Sequence, residues 1–339
     1  MARTKGRLTQ RDIAKLAGVS QAAVSLILNG GAEQARLSSE TRERVMAVIQ
    51  GTGYVADPLA RQMHKKGNQL LGVFTYEPVF PNAQADFYTP FLLGIEGEAE
   101  RLGYDLLLFT STPVEDGRRK LFRKESRLRL ADGCIVIGRE QDRDELARLA
   151  ADGYPFVTIG RRDDDSEQIP YVGADYLTVT RDLVRRAHDL GHSHLLYVGD
   201  GSGAESLMDR WQGFSEAVAT LGLTGDRTAP MVAPSEIIER ALASGATVLF
   251  CEVADGALAL AREVDTRRLS SRLSVVAMGS AASLSLPSLQ LSGFELPREE
   301  MGRQAVRTLS AIIENRSVER QILLRPNTVD GQTLRKREQ

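Results

Sequence analysis

Short amides and hydroxyls crowd the stretch TQRDIAKLAGVSQAAVSLILN at residues 9–29, among them Thr9, Gln10, Ser20, Gln21, Ser25 and Asn29. The chemistry such side chains offer is hydrogen bonding. An amide both donates and accepts, which suits the mixed edges that bases present in a DNA major groove. Elsewhere the candidates thin out. His192 and His194 stand in GHSH without cysteine or carboxylate partners, so no metal site is expected. GDGSG at 199–203 follows an apolar run, as a dinucleotide loop would, but lacks the third glycine at the needed spacing and reads as a rim loop. Cys134 and Cys251 sit inside the apolar runs CIVIG and TVLFCEV and read as buried, reduced thiols. No Ser/His/Asp, Cys/His or paired-carboxylate arrangement stands out. No catalytic residue, cofactor or metal is therefore expected, and the chain is not read as an enzyme.

The polar stretch needs elements to position it. Thr9-Gln10-Arg11-Asp12 fits a capping box, followed by Ile13, Ala14, Leu16 and Ala17 on one predicted helical face. Gly18 can end that helix and Val19 anchor the turn. Ser20 can cap a second helix over 21–28, with Val24, Ile27 and Leu28 pointing inward. A third helix, roughly 40–51, brings Val45, Val48 and Ile49 to close a small core. This is a helix-turn-helix, whose second helix would offer Ser20, Gln21, Ala22, Ser25 and Asn29 to the major groove, with Thr9 and Gln10 near phosphates. Charge agrees: residues 1–66 hold 11 Lys+Arg against 5 Asp+Glu, while the remainder holds 32 against 40. A basic head on an acidic body is the footprint of a domain that meets polyanions. Asp57 and Pro58 then start a helix that ends before Gly67. At about two turns it is too short to stand alone in water and should fold against DNA.

With 339 residues, 42% hydrophobic and 26% charged, the chain suits a soluble protein of two or three domains. No apolar run reaches the ~18 residues of a membrane span, and MARTKGRLTQ has no apolar leader core, so a cytoplasmic, nucleoid-associated protein is expected. From Leu70 onward strand-like runs alternate with amphipathic helical stretches, and the rhythm restarts after YVGAD. Such repetition predicts two doubly wound parallel-sheet subdomains with a cleft between them. Asp163-Asp164-Asp165 reads as a solvated loop. RRKLFRKESRLR at 118–129 reads as a surface helix whose apolar face carries Leu121, Phe122, Leu128 and Leu130.

In the head, TQRDIAKLAGVSQAAVSLILNG and SSETRERVMAVIQGTGYVADPLARQM resemble the lactose-repressor (LacI/GalR) family. The resemblance continues through LLGVF, GIEGEAERLGYDLLLF, DGCIVIG, LGHSHLLYVGD, DRWQGFSEAV and LSVVAMG, nearly the whole chain. It implies that the short helix is a hinge helix that packs against a dimer partner in the minor groove, with Ala60 and Met63 at the DNA. Met63 stands where the family's wedging leucine does, and apolar wedges of this kind kink the duplex. Ala23 replaces a usual threonine and Leu26 a common arginine, so base readout should differ from that of relatives. In the body the resemblance implies an effector site of Tyr76, Phe87, Arg161, Asp175, Arg210, Val253 and Gly279. Sugar-binding members present Asp, Arg, Asn and Asp. Here only the arginine remains, as Arg210; Gly160, Val253 and Gly279 occupy the other three positions. Asp175 keeps its residue type, with Tyr176 after it where an asparagine is usual. Arg161 and Arg210 would be the cleft cations, with Glu77, Asp86 and Asp175 as possible acceptors.

The expected architecture is an N-terminal all-α helix-turn-helix domain (1–55), a hinge helix (56–67) and an α/β periplasmic-binding-protein-like body (68–339). The body's first subdomain would span 68–168 and 295–322, its second 169–294 and 323–330. The expected function is a DNA-binding transcription regulator, a repressor, that holds a pseudo-palindromic double-stranded operator as a homodimer. Its small-molecule effector would carry an acidic group and not be a simple neutral sugar. No membrane partner is expected, and the tail QTLRKREQ has no apolar heptads for a tetramer bundle. Two alternatives stay open: a regulator of the same fold that ignores small molecules or answers to a protein corepressor, and a solute-binding protein or enzyme using the cleft.

Overall fold

The computed structural model describes residues 8–28, 37–54, 67–77, 85–111, 114–115, 118–122, 127–163, 169–230, 233–283 and 286–337. The chain divides into two compact units, residues 1–68 and 69–339.

The head holds three helices, α1 (Gln10–Ala17), α2 (Gln21–Leu28) and α3 (Ser39–Thr52). The capping box starts α1: the Thr9 hydroxyl accepts from the Asp12 amide at 3.3 Å, and the Thr9 amide donates to the Asp12 carboxylate at 2.8 Å. Gly18 ends it at φ +66°, a left-handed conformation that costs any other residue about 1–2 kcal/mol. The Ser20 hydroxyl accepts from the Ala23 amide at 3.2 Å and starts α2. Ile13, Ala14, Ala17, Val24, Ile27 and Val45 form the core, with Val48 and Ile49 packed against it. Leu16 does not join them; it is 59% exposed. At about 100° per residue, positions 13, 14 and 17 share one arc and position 16 falls outside it.

The body holds two six-stranded sheets. In the first lobe, β1 (Leu70–Thr75), β2 (Asp105–Phe109), β5 (Gly133–Ile137), β6 (Phe156–Ile159), β7 (Tyr171–Ala174) and β13 (Gln321–Leu324) lie in the order β13-β7-β6-β5-β1-β2, all parallel. A small separate hairpin comprises β3 (Val114–Glu115) and β4 (Arg118–Arg119). In the second lobe, β8 (His194–Val198), β9 (Thr224–Thr228), β10 (Val248–Cys251), β11 (Ser274–Met278), β12 (Ser292–Glu295) and β14 (Asn327–Val329) run β14-β12-β11-β10-β8-β9, with only β14 antiparallel. The helices are α4 (Ala85–Leu102), α5 (Arg143–Ala151) and α10 (Arg298–Ile313) in the first lobe. Those of the second are α6 (Tyr176–Asp189), α7 (Glu205–Thr220), α8 (Pro234–Ser244) and α9 (Ala254–Thr266). Central strands such as GCIVI and VLFC are buried along their whole length, as parallel strands covered on both faces must be. One apolar cluster continues through both lobes, from Leu71 and Ile95 to Tyr197 and Phe250.

Three passages join the lobes, at 174–176, 295–298 and 324–327. The lobe boundary therefore lies later than 168/169: Tyr171–Ala174 belongs to the first sheet, where β6 and β13 flank it. β13 likewise stays whole in that sheet instead of dividing at 322/323. The chain leaves it only at Asp175, whose carboxylate accepts from the Thr178 amide at 3.0 Å and starts α6. The expected helix over 118–129 is a second correction. The described part of that stretch holds β4 and one turn of 3-10 helix at Leu128–Leu130. Its backbone donors are taken elsewhere: the amides of Leu121 and Phe122 donate to the Glu145 carboxylate at 3.0 and 3.3 Å, and that of Arg119 to the Tyr76 carbonyl at 3.1 Å. α4 begins at Ala85 and carries Pro90 inside it.

Candidate functional site

In the head the outward face of α2 carries Gln21, Ala22 and Leu26, all exposed, with Ser20 at its start and Ser25 half-buried. Ala23 is turned to the core and 8% exposed. No charged residue lies on α2; the described basic groups of the head are Arg11 and Lys15 on α1 and Arg42 and Arg44 on α3. Arg11 Nε donates to Gln21 Oε1 at 3.2 Å. A guanidinium only donates, so the amide oxygen of Gln21 faces α1 and its NH2 group is left to point elsewhere. Thr9 is exposed and Gln10 half-buried at the start of α1. Asn29, Ala60, Met63 and the expected hinge helix lie outside the described residues.

In the body, arginines of the first lobe meet carboxylates of α7. Arg161 grips Asp209 with two bonds, Nε to Oδ2 at 2.8 Å and Nη2 to Oδ1 at 2.7 Å, and also binds Asp163. Arg162, 8% exposed, donates from Nη1 to Glu205 at 3.1 Å, and Arg143 donates to the other oxygen of Glu205 at 3.1 Å. Burial pushes the Arg162 guanidinium below its ordinary value, against the pull of Glu205. Burial likewise raises the Asp209 carboxyl, with Arg161 opposing. The Arg162 Nε and the Gln141 Oε1 are buried with no hydrogen-bond partner. Also on α7, Arg210 donates from Nε to the Met278 carbonyl at 2.8 Å and from Nη1 to the Ser206 carbonyl at 2.7 Å. Its guanidinium stacks 4.0 Å from the Tyr176 ring, and a methyl group on Gly279 would come within 3.3 Å of Nη2. So Arg210 both ties the β11 end to α7 and keeps one nitrogen without a hydrogen bond among the described residues.

The structure brings Arg161, Arg210 and Gly279 toward α7 but changes several expected roles. Arg161 is no spare cation, because Asp209 and Asp163 already neutralise it. Tyr76 does not line the cleft; it is 2% exposed in a core cluster, and its hydroxyl donates to Glu145 at 3.1 Å. Phe87 packs edge-on against Tyr88 and Phe91 with the Arg139 guanidinium 4.8 Å over its ring. Glu77 accepts from the Tyr88 hydroxyl and the Arg139 amide, so it is already engaged. Asp175 is occupied as the cap of α6. Val253 stands 49% exposed ahead of α9, and the side chain of Asp86 lies outside the described set. Glu252 holds the GDGSG rim loop through the amides of Asp200 and Gly201 at 3.0 and 3.1 Å. His192 is a structural tie, bonded to Thr247 at 2.8 Å and to the Arg335 carbonyl at 2.9 Å.

The carboxylates Glu205 and Asp209 were missed. Their signal was available: they are spaced i, i+4 on one helix, and the doubled Arg161-Arg162 is the matching pair of opposite sign. Among the described residues no group of three or more His, Cys, Asp or Glu is placed to hold a metal, and no helix is long and apolar enough to cross a membrane.

Comparison with known proteins fits this division. Residues 9–57 match the family of bacterial regulatory proteins of the lacI type, and residues 184–334 match the periplasmic binding protein-like domain. The sucrose operon repressor of Klebsiella pneumoniae is 29% identical over 218 residues, covering 64% of this chain and 63% of the relative, so the match spans under two thirds of that protein. Catabolite control protein A of Priestia megaterium is 24% identical over 337 residues, covering 95% of this chain and 98% of that one. The Lac repressor dimer bound to operator and the anti-inducer ONPF superposes with a TM-score of 0.71 at 20% identity, over 97% of this chain and 99% of that one. The chain thus joins a three-helix head of the lacI family of bacterial regulatory proteins to a two-lobed parallel-sheet body with a periplasmic binding protein-like domain, in that sequence order.

Proposed function

We propose that the protein is a sequence-specific DNA-binding transcription regulator, a repressor, that holds a pseudo-palindromic operator as a homodimer. The observation that carries this reading is the outward face of α2, an amide, a hydroxyl and small apolar groups presented to solvent on a capped three-helix core. The similarity to the sucrose operon repressor and to catabolite control protein A supports it. Selection of binding sites from random duplexes should return an inverted repeat, and light scattering should give a dimer. A tetramer, or equal affinity for one half-site and two, counts against it. Met63 is assigned to the bend: Met63→Ala should reduce specific affinity and the DNA bend angle together, and a normal bend would remove the hinge assignment.

The effector is assigned to the cleft and carries an acidic group. Neutral sugar hydroxyls would lose acceptors at Gly160, Val253 and Gly279, at ~1–3 kcal/mol for each unpaired group. The free nitrogen of Arg210 favours a carboxylate or phosphate. A ligand that prefers one arrangement of the lobes shifts DNA affinity by its preference. Calorimetry with neutral hexoses and with acidic metabolites, on wild type and Arg210→Ala, tests this. Micromolar binding of a neutral hexose that releases the operator would sink it. One observation favours an effector-independent regulator instead: the lobes are already joined by Arg161–Asp209 and Arg162–Glu205. If no metabolite changes operator affinity while Asp209→Asn does, that second reading holds.

A further inference from the structure

We infer that Leu26, with Ala22 beside it, is a specificity-determining residue that reads the 5-methyl groups of thymine in the half-site. The inference rests on the reading of α2 as the DNA-facing helix and names what that helix recognises. Leu26 is 39% exposed although the small core of the head lies directly behind it, where Val24 and Ile27 are buried. It lies four residues after Ala22, so the two are neighbours on the helix, and Gln21 joins them on its solvent-exposed side. That face has no charge to seek a phosphate or to fork onto guanine.

In the major groove every base edge presents hydrogen-bonding atoms except at the pyrimidine C5 position, where thymine alone among the standard bases carries a methyl group. An aliphatic side chain pressed against an amide, carbonyl or ring nitrogen desolvates it without return. Against a thymine methyl it removes apolar surface from water on both sides. Gln21 supplies the polar half of the readout. With its oxygen held by Arg11, it presents NH2 donors to an acceptor such as purine N7 or thymine O4. A half-site in which Gln21 meets such an acceptor and Leu26 meets a methyl at a neighbouring step is the consistent outcome.

The test uses the full chain. A random duplex pool is selected for binding, the half-site is mapped, and each thymine in it is replaced singly by deoxyuridine. That exchange removes one methyl and leaves every hydrogen-bonding group in place. Wild type should bind about fourfold more weakly at one or two positions, the equivalent of one buried methylene. Leu26→Ala, a change at an exposed site, should bind the thymine duplex more weakly and be indifferent to deoxyuridine at one of those same positions. Equal affinity of wild type for all thymine and deoxyuridine duplexes overturns the inference, and so does an undiminished uracil penalty in Leu26→Ala. Failure to select any sequence is a different result: it overturns the assignment of α2 as the reading helix as well.

Discussion

On α2, Gln21, Ala22 and Leu26 stand in solvent, with the Gln21 amide oxygen accepting from Arg11. In the cleft of the body, Arg161, Arg162, Glu205 and Asp209 have closed on one another, three of them under 9% exposed. Water sets the difference. An exposed amide is satisfied by solvent until a base displaces it, so a reading face can wait for its partner. A buried guanidinium cannot wait, because an unpaired buried charge is far costlier than an unpaired surface group. The head therefore displays its chemistry, while the cleft has paired most of its own: among the described residues Arg162 Nε stays buried without a hydrogen-bond partner, and one nitrogen of Arg210 makes no hydrogen bond.

The largest effect expected from breaking this contrast is at Glu205. Glu205→Ala strips the buried Arg162 of its carboxylate and should destabilise the body by about 3–5 kcal/mol. Urea unfolding followed by Trp211 fluorescence, from the single tryptophan and on the same helix as Glu205, reads it directly. A loss of a few tenths would mean the pair is as weak as a surface one. Restoring an apolar pair, Arg162→Met with Glu205→Leu, should recover most of the stability, because well-packed apolar groups replace buried ions at little cost.

Acid should act next, and again on the body. The guanidinium groups of Arg101 and Arg307 hold the Glu98 carboxyl at about 2, against an ordinary 4.5. A carboxyl depressed in the folded state stabilises above its unfolded value, and that contribution is lost as pH falls from about 4.5 towards 2. Glu98→Gln should flatten the body's acid titration in that window. If wild type and variant titrate alike, the ion triad is not what acid breaks. Asp12 in the head is depressed in the same sense by its bonds to Thr9, but it is fully exposed and should contribute little.

Gln21→Ala sharpens the comparison from the other side. It should cost ~1–3 kcal/mol at the selected operator and little on random DNA. Arg11→Ala should follow in the same direction with a smaller loss at the operator, since Arg11 orients the amide rather than reading a base. Equal losses on specific and random duplexes for Gln21→Ala would show a backbone contact instead. The smallest effect expected is at Ser20: removing the hydroxyl that caps α2 should lower head stability by about 1 kcal/mol, visible in amide exchange.

Much of the head was legible because its determinants are local. Thr9 and Asp12 are three residues apart, Gly18 ends α1 by its own backbone freedom, and Ser20 caps α2 from three residues before Ala23. Leu16 misled because an apolar residue beside a stripe is not in it. In the body the alternation of strand and helix was legible, since parallel strands buried on both faces must be apolar throughout.

By itself the sequence determined the capped helix-turn-helix and the two-sheet α/β rhythm, both written in neighbouring residues or in residue type. Only the tertiary structure decided which strand belongs to which lobe and which charges are free. Arg161 and Asp209 lie 48 residues apart, and Arg162 and Glu205 lie 43 apart. No periodicity links such pairs; they meet only because the passages between the lobes bring the end of β6 to one face of α7. The same long-range packing spent the backbone donors of Leu121 and Phe122 on Glu145, where local propensity alone would have continued a helix.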